Sequence, residues 1–269
     1  MREIMRVVAS DYDIPAVALP GGAAMPIVGL GTWRLRVRQA YECVRFALEI
    51  GYRHIDTATM YGNEAEIGRA LRESAAHGVD RREVFITTKL PAGNAGRERE
   101  TLAASLRELG TDYVDLWLVH WPPRGRARPQ IWREFVAARE EGLARAIGVS
   151  NYSIGQIDEL AGATGQMPAV NQIPWSPRKH DPGLLAAHRD RGVVVEGYSP
   201  LKGSDLRAPV LAEIAAKHGV SAAQVVLRWH IEHGIVVIPK SEQRERIAAN
   251  LDLFGFCLDP AEIARIDGA

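Results

Sequence analysis

Short apolar runs rich in Val and Ile alternate along the chain with longer stretches whose apolar positions recur every three to four residues. The short runs cover residues 28–31, 54–56, 84–89, 114–120, 146–150, 169–172, 193–198 and 235–239, eight strands in prospect. Between them, residues 38–50 are apolar at 40, 43, 44, 47 and 48, and residues 101–109 at 102, 103, 106 and 109, which is the period of a helix. Residues 132–139, 157–160, 184–188, 210–217 and 222–232 repeat it. Strands that are apolar on both faces, each followed by a helix, predict a parallel sheet covered by helices. No linker divides the chain, and eight strands in about 250 residues suit an α/β fold of the (β/α)8 TIM-barrel type, one domain over residues 1–269. An open doubly wound sheet would use fewer strands, and Gly29-Leu30-Gly31-Thr32-Trp33-Arg34 lacks the third glycine of its dinucleotide fingerprint. Ahead of the barrel, residues 15–19 and 25–28 around Gly21-Gly22 predict a β-hairpin that closes the barrel bottom.

Composition narrows the class. Hydrophobic residues make up 46% and charged residues 25% of the 269, as in an ordinary folded domain. Thirty-three Lys plus Arg balance thirty-three Asp plus Glu, so no global field draws in nucleic acid or an anionic membrane. The first ten residues carry Arg2, Glu3 and Arg6 and no signal-like apolar core, and no apolar run approaches the roughly 20 residues of a membrane span. Cys43 and Cys257 are too few and too distant for a disulfide framework. A soluble, cytoplasmic protein is expected, with a small molecule as its partner.

In a parallel barrel the active site lies at the carboxyl ends of the strands, so polar residues that directly follow apolar runs are informative. Asp56, Lys89, His120, Ser150-Asn151, Asn171-Gln172, Tyr198-Ser199 and Lys240-Ser241 follow seven successive runs. A tyrosine has an ordinary pKa near 10, and a cation beside it lowers that value. Asp56, Lys89 and the nearby Tyr61 can therefore form a tuned acid, while a neutral His120 orients a carbonyl oxygen. No serine or cysteine nucleophile accompanies them, so an external hydride donor is wanted. Ser150, Asn151 and Gln172 can meet a carboxamide, and Tyr198 offers a flat face to a nicotinamide ring. Lys240, Ser241 and Arg246 form a local trap for a phosphate monoester, which favours NADPH over NADH.

These residues stand in an ordered set of motifs: GLGTW at 29–33, DTA at 56–58 with YGNE at 61–64, TTK at 87–89 and DLWLVHWP at 115–122. IGVSNY at 147–152, NQ at 171–172, YSPL at 198–201 and IPKS at 238–241 with Arg246 and Asn250 complete it. Over nearly its whole length the chain resembles the aldo-keto reductases, in particular short prokaryotic members similar to 2,5-diketo-D-gluconate reductases. The resemblance implies a (β/α)8 barrel and NADPH-dependent, reversible reduction of aldehydes or ketones, commonly by a monomer. It implies Tyr61 as general acid, His120 as carbonyl orienter, and Asp56 with Lys89 as the tuning pair. Thr32, Ser150, Asn151, Gln172, Tyr198 and Leu201 would serve the nicotinamide side of NADPH/NADP+, and Lys240, Ser241, Arg246 and Asn250 its adenosine 2′-phosphate. Trp33 and Trp121 would wall the substrate pocket.

The chain departs from the family pattern in places. Ala249 stands where many relatives carry an adenine-touching Glu or Gln, and the sequence ends at Ala269 without the long loop that shapes the pocket in many eukaryotic members, so an open substrate site is expected. Arg124, Arg126 and Arg128 could place cations at its rim, and Trp175 could be packing or pocket. His54, His77, His188, His218, His230 and His233 lack metal-ligand company in the sequence, and no metal is expected. Two other readings stay open: a Schiff-base lyase using Lys89 or Lys240, and a barrel that binds NADPH as a redox sensor with little turnover.

Overall fold

The computed structural model describes residues 7–8 and 14–267. It begins with a small antiparallel sheet, β1 (Val7–Val8), β2 (Ala16–Ala18) and β3 (Ala24–Pro26), in that order. β2 and β3 are the predicted hairpin arms, turned where the Leu19 N–H donates to the Ala23 carbonyl at 2.8 Å. β1, which adds a third strand, lies in a segment that showed no strand pattern; the rest of residues 1–10 lies outside the described residues. The hairpin sits at the amino ends of the barrel strands, since Pro26 accepts from His54 Nδ1 at 3.2 Å at the start of the second barrel strand.

The barrel strands are β4 (Leu30–Gly31), β5 (His54–Asp56), β6 (Phe85–Leu90), β7 (Val114–Val119), β8 (Ala144–Ser150), β9 (Val170–Pro174), β10 (Val194–Tyr198) and β11 (Val236–Val237). They lie in sequence order, and every pair is parallel. A bridge between Val28 and Val237, with Gly29 N–H donating to the Val237 carbonyl at 2.8 Å, joins last to first and closes the barrel. Gly31 is required at that seam: a Cβ there would lie 2.7 Å from the Ile238 carbonyl oxygen. All eight predicted runs became strands, with ends shifted by a few residues.

The helices are α1 (Val37–Glu49), α2 (Glu64–Ala76), α3 (Glu98–Leu109), α4 (Pro129–Glu140), α5 (Ile154–Thr164), α6 (Pro182–Arg189), α7 (Pro209–His218), α8 (Ala222–Glu232), α9 (Arg244–Leu251) and α10 (Pro260–Asp267). α1 buries Ala40, Cys43, Val44, Ala47 and Leu48, the stripe its period predicts. α2 and α10 went unrecognised because charged residues interrupt their apolar stripes: α2 buries Glu64 and α10 buries Glu262 alongside Ile67, Leu71 and Ile266. Among the described residues no single helix is long and apolar enough to cross a membrane.

Candidate active site

Side chains two apart on a strand share a face, so β5 turns His54 and Asp56 into the barrel and β6 turns Thr87 and Lys89 to meet them. Lys89 is fully buried and its Nζ donates to Asp56 Oδ1 and Oδ2 at 2.7 Å each and to the Thr57 carbonyl at 2.9 Å. All three ammonium hydrogens are thus occupied. Burial alone would lower the Lys89 pKa, but Asp56, Tyr61 and Glu196 outweigh it and hold it above its ordinary value. Lys89 is a locked cation.

Tyr61 ends the short turn Thr59–Tyr61 that follows β5, and the Lys89 ammonium lies 5.2 Å from the centre of its ring. His120, just past β7, meets the Tyr61 ring edge-on at 5.7 Å between centroids. Burial and the Lys89 charge push His120 down to about 3, so it is neutral, and its Nδ1 is buried without a hydrogen-bond partner among the described residues. The expected lowering of Tyr61 requires correction. Burial pushes the phenol up, Lys89 pulls it back and Asp56 pushes it up again, leaving it above its ordinary value. The cation therefore offsets the burial cost instead of turning Tyr61 into a strong acid.

The residues expected to meet a carboxamide form one network. Asn151 adopts a left-handed backbone (φ 63°), which swings its amide back to donate to Ser150 Oγ at 2.9 Å and to the His120 carbonyl at 3.2 Å. Tyr198 OH donates to Asn151 Oδ1 at 2.9 Å, and Ser150 Oγ donates to the Gln172 carbonyl at 2.8 Å. Gln172 differs from expectation: its Nε2 donates to Asp56 Oδ2 and Glu196 Oε2, both at 2.8 Å, so only Oε1 remains for a ligand.

Glu196 was not singled out from the sequence. It is fully buried on β10, and burial together with Asp56 pushes its pKa up to about 8. Its Oε1 lies 3.6 Å from His54 Nε2. Because His54 Nδ1 must donate to Pro26, its Nε2 presents a lone pair, which accepts from Thr87 Oγ1 at 3.4 Å; burial pushes His54 down to about 3, so the ring is neutral. Glu196 Oε1 is buried without a hydrogen-bond partner among the described residues, which a neutral carboxyl tolerates better than a carboxylate does. The run Val193-Val194-Val195-Glu196-Gly197-Tyr198 carried the signal, because 196 and 198 share a strand face.

These groups open into a cavity of about 640 Å³ whose lining includes Asp56, Tyr61, His120, Ser150, Asn151, Gln172, Tyr198 and Lys240. Trp33 and Trp121, 44% and 50% exposed, line it, and so does the buried Trp175. Arg124, Arg126 and Arg128 do not line it, since they sit in the turn leading to α4; the wall cations are Lys179, Lys202 and Lys240. Thr32 is fully buried and gives its hydroxyl to the Asp56 carbonyl at 2.9 Å, so that side chain is not offered to a ligand. Leu201 packs against both halves of the core, beside the lining residues Ser199 and Lys202.

The predicted phosphate end continues from Lys240 on the cavity wall. Lys240 pairs with Glu242, which also accepts from Gln39 Nε2 at 3.1 Å; Glu242 is a second residue the sequence reading passed over. Ser241 Oγ accepts from the Gln243 N–H at 3.1 Å. On α9, Arg246 is exposed and Asn250 is buried, and neither lines the cavity.

The chain itself matches a known family. The aldo/keto reductase family profile matches residues 27–269. Morphine 6-dehydrogenase of Pseudomonas putida is 43% identical over 270 residues, covering 94% of this chain and 90% of that protein. The structure of an aldo/keto reductase from Brucella melitensis superposes with a TM-score of 0.90 at 40% identity, covering 94% of this chain and 98% of its own. Bombyx mori aldo-keto reductase, solved in complex with NADP, superposes with a TM-score of 0.89 at 36% identity, covering 94% and 92%. With barrel, motifs and relatives in agreement, the chain belongs to the aldo/keto reductase family.

Proposed function

We propose that this cavity reduces the carbonyl group of an aldehyde or ketone to an alcohol, with Tyr61 as proton donor and His120 orienting the carbonyl oxygen. By its family the chain is an NADP(H)-dependent oxidoreductase; the residue roles are the proposal. The observation that carries it is the convergence of Tyr61 and His120 at the cavity floor above the buried Lys89–Asp56 pair. When bound, NADPH supplies hydride to the carbonyl carbon. Tyr61 gives its hydroxyl proton to the carbonyl oxygen, and the Lys89 cation stabilises the phenolate left behind. Asp56 fixes that cation, and neutral His120 donates a ring N–H to the same oxygen without competing for the proton.

The remaining polar groups fit the cofactor. Gln172 Oε1 and Asn151 Oδ1 can accept from the carboxamide, Ser150 holds Asn151 in place, and the Tyr198 ring supplies a stacking face. Lys240, Ser241, Arg246 and Asn250 would hold the 2′-phosphate end, Leu201 would back the groove, and Thr32 would act by positioning Asp56. Trp33 and Trp121 would flank the substrate, and Lys179 and Lys202 suit one carrying a negative or strongly polar group. A monomer in a cytoplasmic setting, in keeping with the free thiols of Cys43 and Cys257, completes the reading. A Schiff-base lyase is disfavoured because Lys89 has no free lone pair while it donates to three oxygens.

Tyr61→Phe tests the reading. Reduction of a generic aldehyde should fall by about 10²–10⁴-fold while NADPH still quenches tryptophan fluorescence with little change in Kd. Retained turnover would remove Tyr61 from the chemistry.

A further inference from the structure

His180 follows the turn Pro177–Lys179 beyond β9, His233 caps the end of α8, and Asp267 ends α10. One potential ligand atom of each lies within 4.8 Å of the other two. Asp267 Oδ1 accepts from Trp229 Nε1 at 2.7 Å and faces His233 Nε2 at 2.8 Å and His180 Nε2 at 3.7 Å. The two imidazole rings are 4.5 Å apart between centroids. Although sequence spacing left His233 without metal-ligand company, the fold supplies it.

We propose that His180, His233 and Asp267 form a binding site for a divalent transition metal of the zinc class, which ties the cavity wall to the last helix. His180 carries the argument furthest. Its side chain is only 7% exposed, its Nδ1 is buried without a hydrogen bond among the described residues, and its Nε2 is too far from Asp267 to make one. A buried imidazole left in that condition costs stability, and a metal bond would satisfy one of its two ring nitrogens. Two imidazoles and a carboxylate are a donor set suited to zinc, nickel or cobalt and leave a fourth position for water. A tetrahedral zinc site spaces its donors about 3.3 Å apart, so side-chain adjustments of about an ångström close this one. Asp267, 30% exposed at its side chain, gives the ion a route from solvent.

The site lies outside the proposed catalytic centre, but the strand-end segment that carries His180 also supplies Trp175, Ser176 and Lys179 to the cavity wall. Metal binding would therefore stiffen that wall. Calorimetric titration of the chelator-treated protein with zinc chloride should show one site with a Kd below about 10 µM. His180→Gln and Asp267→Asn, each checked for folding by circular dichroism, should weaken it by on the order of 100-fold. Saturating zinc should raise the wild-type Tm by about 5 °C and leave both variants unmoved. No binding to the wild type, or binding that survives in both folded variants, would overturn the proposal. If neither variant folds, cobalt decides: strong visible absorption of a tetrahedral site supports it, and a weak hexa-aquo-like spectrum refutes it.

Discussion

The two ends of the candidate active site hold their charges in opposite ways. Around Asp56 and Lys89 every ionic group is buried, and each hydrogen of the cation has a protein acceptor before any ligand arrives. Around Lys240 the cation stands at the surface with Glu242 as its partner, and Arg246 is exposed. A buried pair is costly to disturb and needs no reorganisation when charge develops beside it. An exposed pair contributes little to stability and exchanges partners readily. The proposed chemistry end is therefore built in advance, and the proposed phosphate end holds an internal carboxylate with which an anion would compete.

Removing a charge from each end gives the widest contrast. Lys89→Met keeps the side-chain volume but strands Asp56 without its cation; unfolding free energy should drop by about 3–5 kcal/mol and turnover by about 100-fold or more. A denaturation curve and aldehyde-reduction rates measure both, and near-normal turnover in the folded variant would break the comparison.

Glu196→Gln has a smaller effect with a distinct pH signature. The folded Glu196 carboxyl titrates near 8, above the ordinary 4.5 expected when unfolded, so the native state binds the extra proton. Its stabilising contribution is fully present below about pH 4.5 and is lost as pH rises through 8. The Tm of the wild type relative to the Gln variant should fall by about 10 °C between about pH 5 and 9 and then level off. A flat difference would mean that Glu196 is already ionised.

The mildest changes belong to the surface end. Lys240→Met should raise the KM for NADPH about tenfold and leave that for NADH nearly unchanged. Glu242→Gln should lower the NADPH value a few-fold by freeing Lys240. An unchanged NADPH KM in both variants would show that Lys240 does not meet the 2′-phosphate.

Much of this was legible because a parallel barrel converts sequence position into spatial position. Asp56, Lys89, His120, Asn151, Gln172 and Tyr198 were found as polar residues closing apolar runs, and all meet at the cavity or just beneath it. Glu196 escaped because a charge inside an apolar run reads as an irregularity until the strand's two-residue period shows which way it faces. Lys179 and Lys202 escaped because loop residues follow no period. The arginines at 124, 126 and 128 could be read as rim cations or as a solvated loop, and none of them lines the cavity.

By itself the sequence determined the eight strands, their parallel order and the polar residue at seven of the eight strand ends, because those depend on local apolar period and a chain without a linker. Only the tertiary structure decided where the amide hydrogens of Gln172 point, how burial and Lys89 balance on Tyr61, and that His180, His233 and Asp267 meet. Those outcomes depend on distances of a few ångströms between residues far apart in the chain, which no local pattern encodes.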